Sequence, residues 1–253
     1  MTAPYAVHWV TAFLDRPADQ FDSMATFWTA ATGTTLSPRR GEHAEFATFL
    51  PPAGDATLKL QGVGDASHGG HVDFEVTDLG AARDRALELG AVSVADLDTL
   101  QVLRSPAGLP FCLVPVRCEG VRPAIADTSG GRIIADQVAL DIGPQDFQDE
   151  TAFWAGLTGW QTAEAVRREF TVLAPARRRS ARFLLQRLGE QPVGPRIHLD
   201  LACSDRSAAV AYHCTLGARV VAEHDFWTVM SDPSGALYCL TSRDPTTGRL
   251  ADR

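Results

Sequence analysis

One pairing of residues able to do chemistry occurs twice in this chain: His71 with Asp73 across Val72, and His198 with Asp200 across Leu199. Side chains alternate from face to face along a strand, so two residues spaced by one neighbour look the same way. A His and an Asp so placed can act as a general base, lock each other's orientation, or satisfy one another within a core. The carboxylate is the stronger clue, because leaving one unpaired in a half-buried hollow costs on the order of several kcal/mol. It needs a partner: the histidine, an arginine, water or a ligand. Downstream of each pair lies a cysteine in an apolar run, Cys112 in PFCLVP and Cys239 in LYCLT. Free cysteine packs as a small hydrophobe, and a nucleophilic role needs a neighbouring cation or histidine to lower its pKa.

The strands that carry these groups fix which way they look. Leu199 and Leu201, like Val72 and Phe74, belong against helices, which leaves His198, Asp200, His71 and Asp73 for a concave face. Phe111 with Leu113, and Tyr238 with Leu240, go toward helices and turn Cys112 and Cys239 inward. On neighbouring strands the polar face carries Lys59 and Gln61 in the first half, and Leu184 and Gln186 in the second. Thr11 and Gln137 occupy matching places on the opening strands. Gln61 and Gln186 are candidates for hydrogen bonds to a ligand, and Trp9 and Trp227 for the walls or lips of a cavity. Lys59 against Leu184 suits an anionic group in the first cavity and a more apolar one in the second.

An internal repeat organises the whole chain. HVDFEVTDLGAARDRALELGA (71–91) aligns without gaps to HLDLACSDRSAAVAYHCTLGA (198–218), and LRSPAGLPFCL (103–113) to MSDPSGALYCL (230–240). Upstream, residues 15–33 pair with 141–159, and EFATFLP (45–51) with EFTVLAP (169–175). Two copies of one unit follow, joined by CEGVRPAIADTSGG (118–131), a linker by composition. Within each unit the order strand, helix, three strands occurs twice. Phe21, Met24, Phe27 and Trp28 recur at helical spacing, as do Phe147, Phe153, Trp154 and Leu157; Gly33 and Gly159 close those helices. Asp78 and Asp205 are N-caps of the second helix in each unit. Ser-Pro-Ala-Gly (105–108) and Asp-Pro-Ser-Gly (232–235) read as type I turns.

Composition narrows the function classes. The 253 residues are 45% hydrophobic and 21% charged, with a formal net charge of −8, so nucleic acid and anionic membrane are not expected partners. Arg177, Arg178 and Arg179 with Arg182 read as a solvated hairpin tip. Five cysteines with no CxxC spacing fit neither a disulfide framework nor a zinc ribbon. No leader and no long apolar run stands out, so a cytoplasmic location is expected.

The element order, the DPSG turn before an apolar strand, and the HxD opening each second half-unit resemble the vicinal-oxygen-chelate superfamily. RIHLDLACSD, LGARVVAEHDFWTVMSDPSGALYCL, and AFWAGLTGW with FLLQRLGE carry the likeness, which is nearest to glyoxalase-like and bleomycin-resistance-like domains of actinobacterial type. It implies an α+β fold: four βαβββ modules forming two tandem glyoxalase-like domains, each an incomplete eight-stranded barrel with helices outside. The expected boundaries are 1–117 and 132–245, with the linker 118–131 and a tail 246–253. Metal-dependent members of that superfamily take one ligand from each of four strands: His or Gln, then Glu, His and Glu. By position the third falls on His71 and His198, and the fourth on Cys112 and Cys239. The second falls near Lys59 or Gln61 and near Leu184 or Gln186, and the first on Thr11 and Gln137. Both glutamates are missing, and Asp73 and Asp200 would help only in a rearranged site.

The resulting expectation is a protein without cofactor that binds a small aromatic or hydrophobic metabolite, as monomer or homodimer. The binding residues would be Trp9, Gln61, His71, Asp73, Cys112, Gln186, His198, Asp200, Trp227 and Cys239. The alternative is an enzyme, a lyase, isomerase or transferase. It would use His198 with Asp200, or His71 with Asp73, as acid and base, or hold a divalent ion (Zn, Ni, Fe or Mn) at His198, Cys239, Gln186 and Gln137.

Overall fold

A computed structural model describes residues 4–64, 69–165, 167–175, 180–189 and 194–250. Arg177, Arg178 and Arg179 lie outside the described residues; Arg182 opens a strand. The first module runs β1 (Val7–Pro17), α1 (Phe21–Thr32), β2 (Thr35–Leu36), β3 (Phe46–Leu50) and β4 (Leu58–Val63). The second runs β5 (Gly70–Val76), α2 (Leu79–Glu88), β6 (Val92–Leu97), β7 (Leu100–Arg104) and β8 (Pro110–Pro115). A short strand β9 (Ala126–Thr128) leads into β10 (Gly131–Ile142), α3 (Phe147–Thr158), β11 (Gln161–Glu164), β12 (Phe170–Ala174) and β13 (Arg182–Arg187). The last module is β14 (Arg196–Cys203), α4 (Arg206–Thr215), β15 (Arg219–Glu223), β16 (Trp227–Ser231) and β17 (Leu237–Thr241).

The strands form two mixed sheets, in the orders β2-β3-β4-β1-β5-β8-β7-β6 and β11-β12-β13-β10-β14-β17-β16-β15, with β9 beside β10. Neither closes into a barrel. The expected βαβββ order is present four times. One addition falls in the segment read as a linker, where Ala126–Thr128 pairs antiparallel with Gly131–Ile133. Thr128 secures that hairpin by donating to the Gly131 carbonyl and accepting from the Gly130 N–H.

Local chemistry explains the element ends. Asp78 and Asp205 accept from the N–H groups of Ala81 and Ala208, each at 2.9 Å, satisfying donors that the first helical turn leaves over. The two Pro-containing turns close through Gly108 N–H to the Ser105 carbonyl and Gly235 N–H to the Asp232 carbonyl. Gly108 and Gly235 sit at φ 98° and 94°, a conformation that side chains with a Cβ resist. The outermost strands β6 and β15 each carry a bulge, at Ser93/Ala95 and Val220/Ala222.

The chain divides into two compact units. The first comprises Met1–Ala12, Gly70–Val121 and Val138–Ile197; the second comprises Phe13–Gly69, Arg122–Gln137 and His198–Arg253. In the first, Phe74 of β5, Phe111 of β8 and Phe183 of β13 surround Trp154 of α3, with ring centroids 5.3–5.9 Å from it. In the second, Trp28 of α1 meets Tyr238 of β17 at 5.0 Å, and the His213 ring of α4 lies 5.8 Å from Tyr238. Among the described residues no helix is long and apolar enough to cross a membrane.

Candidate metal centre

In the second unit, parallel pairing of β14 with β17 puts Asp200 in register with Cys239. His198 is two residues before Asp200 and shares its face. The result is a three-residue cluster whose ligating atoms all lie within 4.8 Å of one another. Asp200 Oδ1 is 3.3 Å from His198 Nε2, and Cys239 Sγ is 3.6 Å from the same nitrogen. The His198 and Asp200 side chains are 10% and 5% exposed. The first unit repeats the arrangement. Parallel pairing of β5 with β8 sets Asp73 beside Cys112, and His71, Asp73 and Cys112 form the matching cluster, with His71 Nε2 3.8 Å from Asp73 Oδ1.

What such a cluster can do follows from which atoms face each other. A Cys-His-Asp relay needs thiol and carboxylate on opposite ring nitrogens, so that one side takes a proton while the other orients the ring. Here the carboxylate and the sulfur both approach Nε2, and one nitrogen cannot serve both in that way. Asp200 Oδ1 is buried and accepts no hydrogen bond among the described residues, a costly state for a carboxylate oxygen. Three donors of nitrogen, oxygen and sulfur type around one point, one of them an orphaned oxygen, fit a divalent cation. Zn²⁺ accepts this donor set, and catalytic zinc sites use three protein ligands.

The expectation of no cofactor is therefore corrected. It rested on the two missing glutamates, with Asp73 and Asp200 thought to need a rearranged site. Parallel register removes that need: the Asp of each HxD lies beside the cysteine where the chain already puts it.

Comparison with known proteins places the chain. The glyoxalase-like domain profile matches residues 11–114 and again 137–241. The chain belongs to the glyoxalase-like domain family. No curated protein sequence matches it. Among solved structures, the glyoxalase-like chain is similar to the Mn(II)-bound glyoxalase from Novosphingobium aromaticivorans: 16% identity, 93% of this chain and 81% of that one covered, TM-score 0.62. It also resembles the 2,3-dioxygenase LapB from Pseudomonas sp. KL28 (13% identity, 91% and 90% covered, TM-score 0.63). A third is an extradiol ring-cleaving dioxygenase from B. fuscum (13% identity, 99% and 77% covered, TM-score 0.64). At these identities the likeness is one of fold.

The other candidate residues of this glyoxalase-like protein lie on several strands of the two sheets. Gln137, a candidate ligand, does not offer its oxygen: its Oε1 accepts from Arg243 Nη1 at 3.1 Å, while its Nε2 donates to Asp200 Oδ2 at 2.5 Å. Gln186 lies on β13 of the first unit, opposite Phe170, and Gln61 on β4 of the second, opposite Phe46. Trp9 is buried on β1 of the first unit. Trp227 stacks on His224 with ring centroids 4.4 Å apart. Lys59 Nζ sits 4.9 Å from the centre of the Phe13 ring.

Two residues that sequence reasoning passed over complete the second site's surroundings. Buried Arg243 donates to Asp136 Oδ1 at 2.8 Å, as well as to Gln137, and its Nε donates to Thr241. The available signal was a contrast between the copies: Asp136, Gln137, Thr241 and Arg243 stand where the aligned first copy has Val10, Thr11, Val114 and Val116.

Proposed function

We propose that this protein is a metal-dependent enzyme of the vicinal-oxygen-chelate kind. It acts on a small aromatic or hydrophobic metabolite through that compound's oxygens, as a lyase, isomerase or transferase. His198, Asp200 and Cys239 would hold the ion, and His71, Asp73 and Cys112 offer a second, similar place. The reading is carried by one observation: the Asp200 oxygen without a hydrogen bond and the Cys239 sulfur converge on the same nitrogen of His198. The mixed donor set favours Zn²⁺ over the hard ions, which prefer all-oxygen ligation.

A bound divalent ion supplies Lewis-acid polarisation of a carbonyl or hydroxyl oxygen on the substrate. The protein's own groups do the positioning. Gln137 donates to Asp200 Oδ2, turning Oδ1 toward the imidazole and the sulfur. Burial of Asp200 and Cys239, with His198 only partly exposed, thins the water around them, which strengthens each electrostatic contact with a substrate. We further read the chain as two glyoxalase-like domains, 1–117 and 132–245, of a cytoplasmic protein. The five cysteines form no disulfide among the described residues, which accords with a reducing compartment.

The test is metal analysis of protein purified without an affinity tag. A stoichiometric divalent ion is expected, removable by chelator and restored by Zn²⁺, with His198→Ala lowering the content by one equivalent per chain. Wild-type protein that neither carries nor takes up such an ion would overturn the reading.

A further inference from the structure

The two clusters share their three ligand types, while the residues that back the second carboxylate have no counterpart at the aligned positions of the first copy. In the second unit Asp136, Gln137, Asp200 and Arg243 are all at most 6% exposed, and a chain of hydrogen bonds runs through them. Arg243 Nη2 is fixed on Asp136 Oδ1, and its Nη1 donates to Gln137 Oε1. Gln137 Nε2 then donates to Asp200 Oδ2. A guanidinium has donors only, and a carboxylate without its proton has acceptors only. Between them the Gln137 amide has a single favourable orientation: reversing it would aim NH₂ at the arginine and oxygen at the carboxylate. The chain thus spends one Asp200 oxygen on Gln137 and leaves the other facing His198 and Cys239. In the first copy the corresponding positions carry Val10, Thr11 and Val116, which cannot build such a chain.

We propose that Arg243, acting through Gln137, is a positioning residue that sets Asp200 as a cation ligand and makes the His198 site the tighter of the two. This rests on the metal-dependent reading above. The hydrogen bonds of Arg243 go to Thr241, Gln137 and Asp136 and not to the three ligands. Its part is to remove the rotational freedom of an amide, and through it that of a carboxylate, before a cation arrives. Groups locked in place beforehand lose less freedom on binding, and support of this kind behind metal ligands characteristically changes affinity about 10- to 100-fold.

The test uses the full chain stripped by chelator, with Zn²⁺ as the probe for affinity and Co²⁺ as the probe for coordination. Cys112→Ser and Cys239→Ser backgrounds assign each Zn²⁺ affinity, and each thiolate-to-cobalt absorption band, to one site. The expected result is a His198 site at least 10-fold tighter than the His71 site. Gln137→Met and Arg243→Met should weaken the former about 10-fold or more and alter its cobalt spectrum, leaving the first site's affinity and spectrum unchanged. Arg243→Met strips Asp136 of its partner and can fail to fold. Gln137→Met keeps that ion pair and decides the matter alone. Arg243→Lys, which retains a donor, should recover part of the lost affinity. A Gln137→Met protein that binds Zn²⁺ at the His198 site as tightly as wild type, or weakens both sites alike, overturns the positioning role. Wild-type protein that binds at neither site overturns the underlying metal reading instead.

Discussion

Each unit anchors a core tryptophan on a buried carboxylate, and the two anchors are built differently. In the second, Asp232 of the turn after β16 accepts from Trp28 Nε1 at 3.2 Å and from Arg16 Nε at 2.9 Å. Its other oxygen ties the turn through the Ser234 and Ala236 N–H groups. In the first, the turn position holds Ser105, and the carboxylate comes from the helix: Glu150 accepts from Trp154 Nε1 and from the Ala107 N–H, each at 2.6 Å. Glu150 takes the place aligned with Met24, and among the described residues no cation pairs with it. Burial holds its carboxyl above the ordinary value, since desolvation disfavours the charged form. The same contrast extends outward, where His213 and Tyr238 stand at the places of Ala86 and Phe111. A duplicated core keeps the geometry of an anchor while the charge that serves it moves to another element, and among the described residues only the Asp232 version comes with its counter-charge.

The sharpest way to break this comparison is to remove the cation. Arg16→Met leaves Asp232 buried and uncompensated, with an expected loss of about 3–5 kcal/mol in denaturant unfolding. A loss under 1 kcal/mol (roughly the worth of one hydrogen bond) would mean the ion pair is incidental. Acid should come next. His213 is fully buried, its Nδ1 lies 2.9 Å from the Tyr238 hydroxyl, and burial lowers its pKa from 6.5 to about 4. Between those values the unfolded chain binds a proton that the folded imidazole refuses. Its contribution is therefore whole above pH 6.5 and falls by about 3 kcal/mol as the pH drops toward 4. Unfolding curves at pH 7 and 4.5 should differ accordingly, and His213→Leu should flatten that difference; an unchanged slope would assign the acid response elsewhere. The smallest effect is expected at the first anchor. Glu150→Gln gives up one of the hydrogen bonds its carboxylate accepts but also relieves a desolvated charge, so stability should stay within about 1 kcal/mol of wild type at pH 7. Because its pKa is raised, Glu150 favours the folded state less as the pH climbs above the ordinary carboxylate value, opposite in sense to His213. A large loss in Glu150→Gln would make the two anchors equivalent after all.

The sequence laid the donor positions open because two independent regularities agreed. Alternation put His198 and Asp200 on one face and Leu199 and Leu201 on the other, and the repeat did the same for His71 and Asp73. What alternation cannot reveal is which neighbouring strand lies alongside and in what register. Asp200 therefore read as a binding or acid-base residue that would need a rearranged site to reach a metal, although β17 brings Cys239 directly beside it. Arg243 was hidden for another reason. It follows the last strand and stands where the first copy has Val116, so neither periodicity nor repetition marked it. Its long side chain reaches Asp136 and Gln137, two consecutive residues of β10 that alternation assigns to opposite faces. Gln137 was identified as a polar group of the site, but as a metal ligand. Only the arginine on its oxygen shows that it serves the carboxylate instead.

The ligands of each cluster come from two adjacent parallel strands, and the spacing of carboxylate and thiol is written into backbone hydrogen bonds rather than into the connecting segments. The loops are then free to lengthen, shorten or exchange residues without disturbing the donors. Such a site can be copied, joined to its duplicate and left to diverge for a long time, its three ligands persisting while the residues around them are rewritten for a new purpose.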